Sequence, residues 1–445
     1  MGFAKTLHLG IDIGTSGCRI IVVDNEGTNI ASIQDELPAS IKIQGHICQY
    51  PKDWWNCVTH LFKILLKQIN PEMIKSLAVN GTSGSVLLID KLGKPLSPCY
   101  MYNDNHNDEG ASLIAEYAPQ NSGAHGSSSG LAKCLSLLED FANEPIYRCI
   151  TQADWIAGKL LNNFDISDVN NSLKLGYDPV TLCWPNWLDN LPCKNYLPQQ
   201  IYSPGTVIGN IAPQMASQYG FSPDVKIVAG TTDSIAAFIA TGSHQIGDAV
   251  TSLGSTLAIK VLNDKPIFAP EFGVYSHRLD DIWLVGGASN TGGFAIRKYF
   301  NQAEIDLLTT ELNPEHLTGL DYYPLPEKGE RFPTYDPEKK PHLTPRPNDN
   351  VTFFQGILEG IARIEKQSYD KLTELGAVQP KQIITMGGGS KNKAWQKIRE
   401  NICQIPVISA IQSDAAYGSA LLAKRAYESL IKSNNQDKLV EEEII

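Results

Sequence analysis

The sequence predicts an α/β chain made of two duplicated halves, and three observations carry that expectation. Alternating apolar runs meet at a glycine-and-hydroxyl turn twice, across 7–24 and again across 249–262, each near the start of a half-chain. Strands run into small-residue turns and then helices at 225–240 and at 381–402. At 445 residues the chain is long for one hydrophobic core, so two domains are expected. The boundary is set at Thr241-Gly242, giving domains over 1–241 and 242–430 and an acidic, solvated tail over 431–445.

Hydrophobic residues make up 42% and charged residues 19%, a globular balance that excludes general disorder, and no apolar run approaches membrane-spanning length. A formal net charge of −11 argues against a nucleic-acid partner, so a small anionic ligand needs a local cradle. The nine cysteines are scattered without a C-x-x-C pair, which reads as reduced thiols and predicts a cytoplasmic location, with neither a disulfide frame nor a zinc site. No signal segment is read before the first strand. Met1-Gly2-Phe3-Ala4-Lys5-Thr6 fits a short myristoylation pattern, but a strand beginning near Thr6 leaves little free arm.

The first hairpin turns at Asp12-Ile13-Gly14-Thr15-Ser16-Gly17. A glycine-rich turn opens backbone N–H groups to a bulky anion, and phosphate is the obvious candidate. A carboxylate at Asp12 would repel phosphate unless a cation stood between them, which suggests Mg2+. The structural alternative is a glycine turn with Asp12 bonded locally. A third strand is expected within 30–43 and an amphipathic helix from Pro51 to about Ile69. The strand over 74–80 breaks at Gly81-Thr82-Ser83-Gly84-Ser85 and resumes at 86–90; this is a bulge, a hairpin turn, or a turn whose Ser83 offers a hydroxyl to a ligand. Gly126-Ser127-Ser128-Ser129-Gly130 matches a G-x-S-x-G pattern, yet no strand precedes it, so a serine-rich helix cap is expected. A helix is expected over 154–160.

The stretch 225–240 reads as strand, short polar turn and helix, which puts Asp233 at or just before the helix N-terminus. Asp233 reads as an N-cap or as a base able to take a proton from a substrate hydroxyl; the helix field would lower its pKa, so the gain lies in positioning. The second hairpin turns at Gly254-Ser255-Thr256, and its likeness to the first suggests two halves facing one nucleotide. Residues 283–293 read as a strand entering another small-residue turn. Residues 321–348 are polar and proline-rich and read as a long surface connection, and 351–375 reads as a helix with a core-facing stripe. Gly387-Gly388-Gly389 sits at a strand-to-helix junction, where close approach of a ligand explains the chain-entropy cost better than a plain turn. The helix from Asp414 is small-sided on one face, which suits either a flat ligand or close helix packing.

A P-loop, the protein-kinase motif set and a Rossmann fingerprint are all missing. Two hydroxyl-glycine hairpins, a late triple glycine and carboxylates at 12 and 233 suit Mg2+-dependent phosphoryl transfer, where catalysis is chiefly positioning and charge neutralisation.

The order Asp12-Ile13-Gly14-Thr15, Ala229-Gly230-Thr231-Thr232-Asp233, Leu253-Gly254-Ser255-Thr256, Gly387-Gly388-Gly389-Ser390-Lys391-Asn392 and Ala415-Ala416-Tyr417-Gly418-Ser419-Ala420 resembles the FGGY carbohydrate kinases across nearly the whole chain. Tyr50-Pro51-x-x-Trp54-Trp55 and Gly329-Glu330-Arg331 look like corresponding segments. The resemblance implies an actin-like (ribonuclease H-like) duplicated fold with the active site in a cleft between the halves, ATP and Mg2+ as cofactors, and a small-molecule sugar as partner, in a monomer or homodimer without membrane or nucleic-acid contacts. It further implies that Asp12 serves Mg2+, directly or through water, and that Asp12, Thr15, Ser16, Gly17, Ser83 and Asp233 border the sugar. Gly14, Thr15, Gly254, Ser255, Gly388, Gly389 and Asn392 would then hold the nucleotide, with Asp233 as the base. Xylulose kinases of the family usually carry a Gln-x-His-Gly type motif where this chain has Asn80-Gly81-Thr82-Ser83-Gly84, so the imidazole expected on xylulose is absent. The Gly81-Thr82-Ser83-Gly84 version, the Gly230-Thr231-Thr232-Asp233-Ser234 form and the short chain look most like the family's D-ribulose kinase branch, implying D-ribulose phosphorylated to D-ribulose 5-phosphate, with D-xylulose as the alternative. A non-catalytic actin-like nucleotide-binding protein is the alternative of a different class.

Overall fold

The computed structural model describes residues 6–442, with side chains described as far as Ser433. The short lipidation pattern and the last three residues therefore lie outside the described residues. The chain forms two compact units, one ending at Ala240 that also takes in the chain from Asp414, the other Thr241–Ser413.

In the first unit a six-stranded mixed sheet runs in the order Val207–Asn210, Lys226–Thr232, Ile74–Gly81, Leu7–Ile13, Gly17–Val23, Asn29–Glu36. The expected hairpin is present, with Leu7–Ile13 antiparallel to Gly17–Val23, and Ile74–Gly81 lies parallel to both Leu7–Ile13 and Lys226–Thr232. Leu9, Ile11 and Ile13 are buried on this sheet with Trp54 and Phe62 of the helix Pro51–Leu65, whose Pro51 suits its first turn. Val86–Ile89 does not resume the broken strand within this sheet. It joins a separate five-stranded sheet with Arg148–Thr151 and Cys99–Tyr100.

The second unit repeats the plan. Asp248–Leu253 and Leu257–Asn263 form an antiparallel hairpin, Ile282–Ser289 adds antiparallel to it, and Gln382–Met386 and Val407–Ser409 follow in parallel on the other side. Hairpin, third antiparallel strand, then two parallel strands is the order of both sheets, which is the duplication that the repeated turns predict. Phe353, Phe354, Ile357 and Ile361 of the helix Asn350–Glu374 pack with Trp395 in this unit's core.

One expectation needs correction. Residues 321–348 are not merely a surface connection: Tyr322, Leu325 and Phe332 are buried in the second unit's packing. The buried Glu330 carboxylate explains why the chain is held there. It accepts hydrogen bonds from Ser289 Oγ at 2.6 Å and from the backbone N–H groups of Asn290 and Arg331 at 2.8 and 2.9 Å. The last helix, Ala415–Glu442, follows the second half in sequence and packs with the first compact unit, its backbone continuing to Glu442. Its small face serves close packing: a Cβ on Gly418 would lie 1.8 Å from the Ala236 carbonyl, and one on Gly10 would lie 1.9 Å from that of Ala416. The serine-rich stretch caps a helix as expected, with Ser129 Oγ accepting from Ala132 N at 3.1 Å.

Candidate active site

Strand register assembles the first group of residues. Gly81 lies beside Ile13 on one flank and Thr232 on the other, so the chain leaves three adjacent parallel strands at the same edge. The 14–17 turn, the 82–85 turn and Asp233 all leave from that edge.

In the 14–17 turn, Gly14 N donates to Gly17 O at 2.9 Å. Gln49 Nε2 donates to Thr15 O at 2.7 Å, while Gln49 Oε1 accepts from the buried Trp54 indole at 2.9 Å. The turn is thus braced from one side. Gly14 and Thr15 remain half-buried and Ser16 exposed, which leaves them open to a ligand; Gly17 pairs with Glu36 inside the sheet.

Asp12 is half-buried, and its Oδ1 has no hydrogen-bond partner among the described residues. Burial, then the charges of Asp233 and Asp414, push its carboxyl up to about 7, and Arg19 opposes them. Arg19 sits opposite Asp12 in the antiparallel register and is ion-paired with Asp414. Neither Arg19 nor Asp414 was picked out from the sequence. The available signal was a cation in an otherwise apolar strand, whereas its partner lies 395 positions away. Asp233 is half-buried at the first position of the helix Asp233–Ala240, with its Oδ1 accepting from Ser234 N at 2.6 Å.

No group of three or more His, Cys, Asp or Glu side chains among the described residues could hold a metal. A single hard carboxylate with an unpartnered buried oxygen fits Mg2+ in the manner of phosphate-substrate sites, where the ion keeps waters and takes only one or two protein carboxylates.

The second unit brings together the other predicted residues. Gly387 has φ +85°, and a Cβ there would lie 2.8 Å from Leu253 O; a Cβ on Gly389 would lie 2.7 Å from Leu253 Cβ and 2.8 Å from the Trp395 ring. Those two glycines are required by the fold itself. Gly388 is exposed with open space around it, so it alone retains a ligand-approach rationale. Gly254 and Ser255 are exposed in the adjoining turn, where Gly254 O accepts from Gly293 N at 2.9 Å and Ser255 Oγ accepts from Arg297 Nη2 at 3.2 Å. A groove of about 640 Å3 opens at Thr256, lined in part by Phe294, Arg297, Lys298 and Lys328, three cations in an acidic protein. Asn392 is occupied internally: its Oδ1 caps Trp395 N at 2.8 Å and its Nδ2 donates to Thr309 Oγ1 at 3.1 Å. The sequence reading did not include Gln49 or the cations at 297, 298 and 328.

The N-terminal domain of the FGGY family of carbohydrate kinases matches residues 7–240, and the C-terminal domain of the same family matches residues 249–427. The chain belongs to this family. It is an ATP-dependent sugar kinase, which sets aside the non-catalytic alternative. It is similar to the xylulose kinase of Escherichia coli K12, at 23% identity with 98% of this chain and 92% of the relative covered. It is also similar to the gluconokinase of Bacillus subtilis 168, at 23% identity with 90% and 83% covered. The fold matches the Plasmodium falciparum glycerol kinase solved with ADP at a TM-score of 0.83, with 18% identity and 95% and 90% of the two chains covered. These relatives do not single out ribulose kinases, so the D-ribulose branch rests on the sequence resemblance, including the 80–84 motif and the Gly230-Thr231-Thr232-Asp233-Ser234 form, and not on the comparisons. Among the described residues no helix is long and apolar enough to cross a membrane. All nine cysteines are free, and Cys183 is the exposed one.

Proposed function

We propose that the chain transfers the γ-phosphoryl group of ATP to a hydroxyl of a ketopentose. The observation that carries this reading is the shared strand edge, from which the 14–17 turn, Ser83 and Asp233 all project. Asp233 is the proposed base: the sugar oxygen forms the new P–O bond as ADP leaves, and the hydroxyl proton passes to the Asp233 carboxylate. Thr15, Ser16 and Ser83 bind and orient the sugar, and the backbone N–H groups about Gly14 and Thr15 meet the migrating phosphoryl group. The turn at Gly254-Ser255 holds the nucleotide phosphates, with Arg297 alongside; Gly388 lies against the adenosine, and Gly389 and Asn392 keep that loop in shape. When bound at Asp12, Mg2+ neutralises charge on the phosphates.

D-xylulose is the first reading for the sugar, because the relative covering 98% of the chain is a xylulose kinase. D-ribulose is the second, favoured by the Asn80-Gly81-Thr82-Ser83-Gly84 stretch that lacks an imidazole. The discrimination comes down to a few hydrogen bonds. A coupled ADP-release assay with D-xylulose, D-ribulose, their polyols and gluconate, ranked by kcat/KM, decides it. A ketopentose in first place supports the proposal, and gluconate or a polyol in first place contradicts it.

A further inference from the structure

We propose that Lys133 is a positioning residue for sugar recognition: its buried ammonium fixes the 82–85 turn from behind, so that Ser83 is presented to the sugar in one orientation. The inference rests on the proposal that Ser83 contacts the sugar.

Lys133 lies in the helix Gly130–Asp140 with none of its surface exposed. Its Nζ donates to the carbonyl of Gly84 at 2.9 Å and to that of Ser128 at 2.8 Å. Ser128 immediately precedes the cap of the same helix, so one ammonium ties the turn to the start of the element that carries it. Burying a lysine is costly, and here burial, with Lys174 nearby, lowers its ammonium to about 7. An apolar side chain of similar length would fill the space without that cost. What the ammonium supplies is a fixed direction for two carbonyl groups.

The rest of the turn is held just as firmly. Thr82 N and Oγ1 both donate to Gln152 Oε1, at 2.9 and 2.8 Å. Ser85 Oγ accepts from Tyr102 N at 2.9 Å, and Ser85 O accepts from Gln152 N at 3.0 Å. Thr82, Gly84 and Ser85 are therefore each anchored into the unit. Ser83 is the exception, half-buried and making no side-chain hydrogen bond among the described residues. A turn with every residue pinned except one is a support for that one. Lys133 touches neither Asp12 nor Asp233 in any hydrogen bond or ion pair, so its effect should reach the sugar through the turn and leave the nucleotide alone.

The test measures KM for the preferred ketopentose and for ATP separately, with thermal unfolding as a control, in the full chain and in Lys133→Met, Ser83→Ala and the double variant. The expected result is a sugar KM raised about tenfold in Lys133→Met with the ATP KM within about twofold, as for the loss of hydrogen bonds on one side of a site. In the Ser83→Ala background Lys133→Met should add less than about twofold, because both act on one contact. If Lys133→Met does not fold, Lys133→Gln, which keeps an N–H donor and drops the charge, should show the same split at about threefold. A folded variant with unchanged sugar KM, a parallel rise in both KM values, or full additivity with Ser83→Ala overturns the proposal. A wild-type protein whose ADP release no sugar stimulates overturns the Ser83 reading along with it, an outcome distinct from active protein with flat KM values.

Discussion

At the strand ends of the first unit, Asp12 Oδ1, Asn80 Oδ1, Gln152 Nε2 and Thr232 Oγ1 are buried without hydrogen-bond partners among the described residues, whereas the strands of the second unit carry a closed polar network. There Thr251 Oγ1 meets the Tyr369 hydroxyl at 2.9 Å and Glu365, Arg399 pairs with Glu365, and Arg399 Nη1 donates to Thr385 Oγ1 at 2.6 Å. Thr251 stands three residues before Gly254 and Thr385 two before Gly387, so the network fixes both strands that deliver the proposed nucleotide turns. The second unit is prepared to offer backbone groups from rigid turns. The first unit keeps side chains with unused hydrogen-bonding capacity around its catalytic candidates, as suits a site that works through side-chain chemistry.

The largest effect that bears on this contrast is in stability. Arg399→Met leaves the Glu365 carboxylate buried without its guanidinium and should cost about 3–5 kcal/mol by denaturant unfolding, with both KM values nearly unchanged in folded protein. A large kinetic change without a stability loss would break the view of that network as scaffold.

His8 tests the opposite end of the first sheet, where polar groups are satisfied. Ser76 Oγ donates to Ala423 O at 2.8 Å, so its single proton is spent, and His8 Nδ1–H donates to Ser76 Oγ at 2.7 Å. Burial lowers the imidazole to about 4 from its usual 6.5. The folded state then resists protonation that the unfolded chain accepts. Stability is full above pH 6.5 and declines as pH falls toward 4, by about 3 kcal/mol. His8→Gln should flatten that part of the pH–stability curve; an unchanged slope would assign the acid loss elsewhere.

Gly387→Ala sharpens the comparison on the nucleotide side. Its positive φ and the Leu253 carbonyl at 2.8 Å from the new methyl should displace the 253–256 turn. The ATP KM should rise about tenfold, equivalent to about 1.4 kcal/mol, while the sugar KM stays put. A rise confined to the sugar KM would reverse the proposed division of labour.

Local chemistry made much of this legible in the sequence. Period-two apolar patterns with glycine turns gave both hairpins, and the strand-to-helix step at Asp233 was readable because the strand, turn and helix are contiguous. What stayed hidden depends on distant packing. Small residues in the last helix fit a flat ligand or a neighbouring backbone equally well, until Gly418 is seen against Ala236 and Gly10 against Ala416. Gly329-Glu330-Arg331 stood out only as a family-like segment, and its polar, proline-rich surroundings hid the burial of Glu330, as a lysine's ordinary preference for water hid Lys133. Within the triple glycine, the fold accounts for Gly387 and Gly389, which narrows the ligand argument to Gly388.

The central claim is that the strand edge of the first unit carries the proton-transfer chemistry, with Asp233 as base. Asp233→Asn keeps the side chain's size and its capacity to accept from Ser234 N while removing the basic carboxylate. Sugar-dependent ADP release at saturating ATP should fall about a thousandfold in kcat, with the sugar KM changed by less than about threefold. Turnover within about tenfold of the unaltered protein would contradict the assignment.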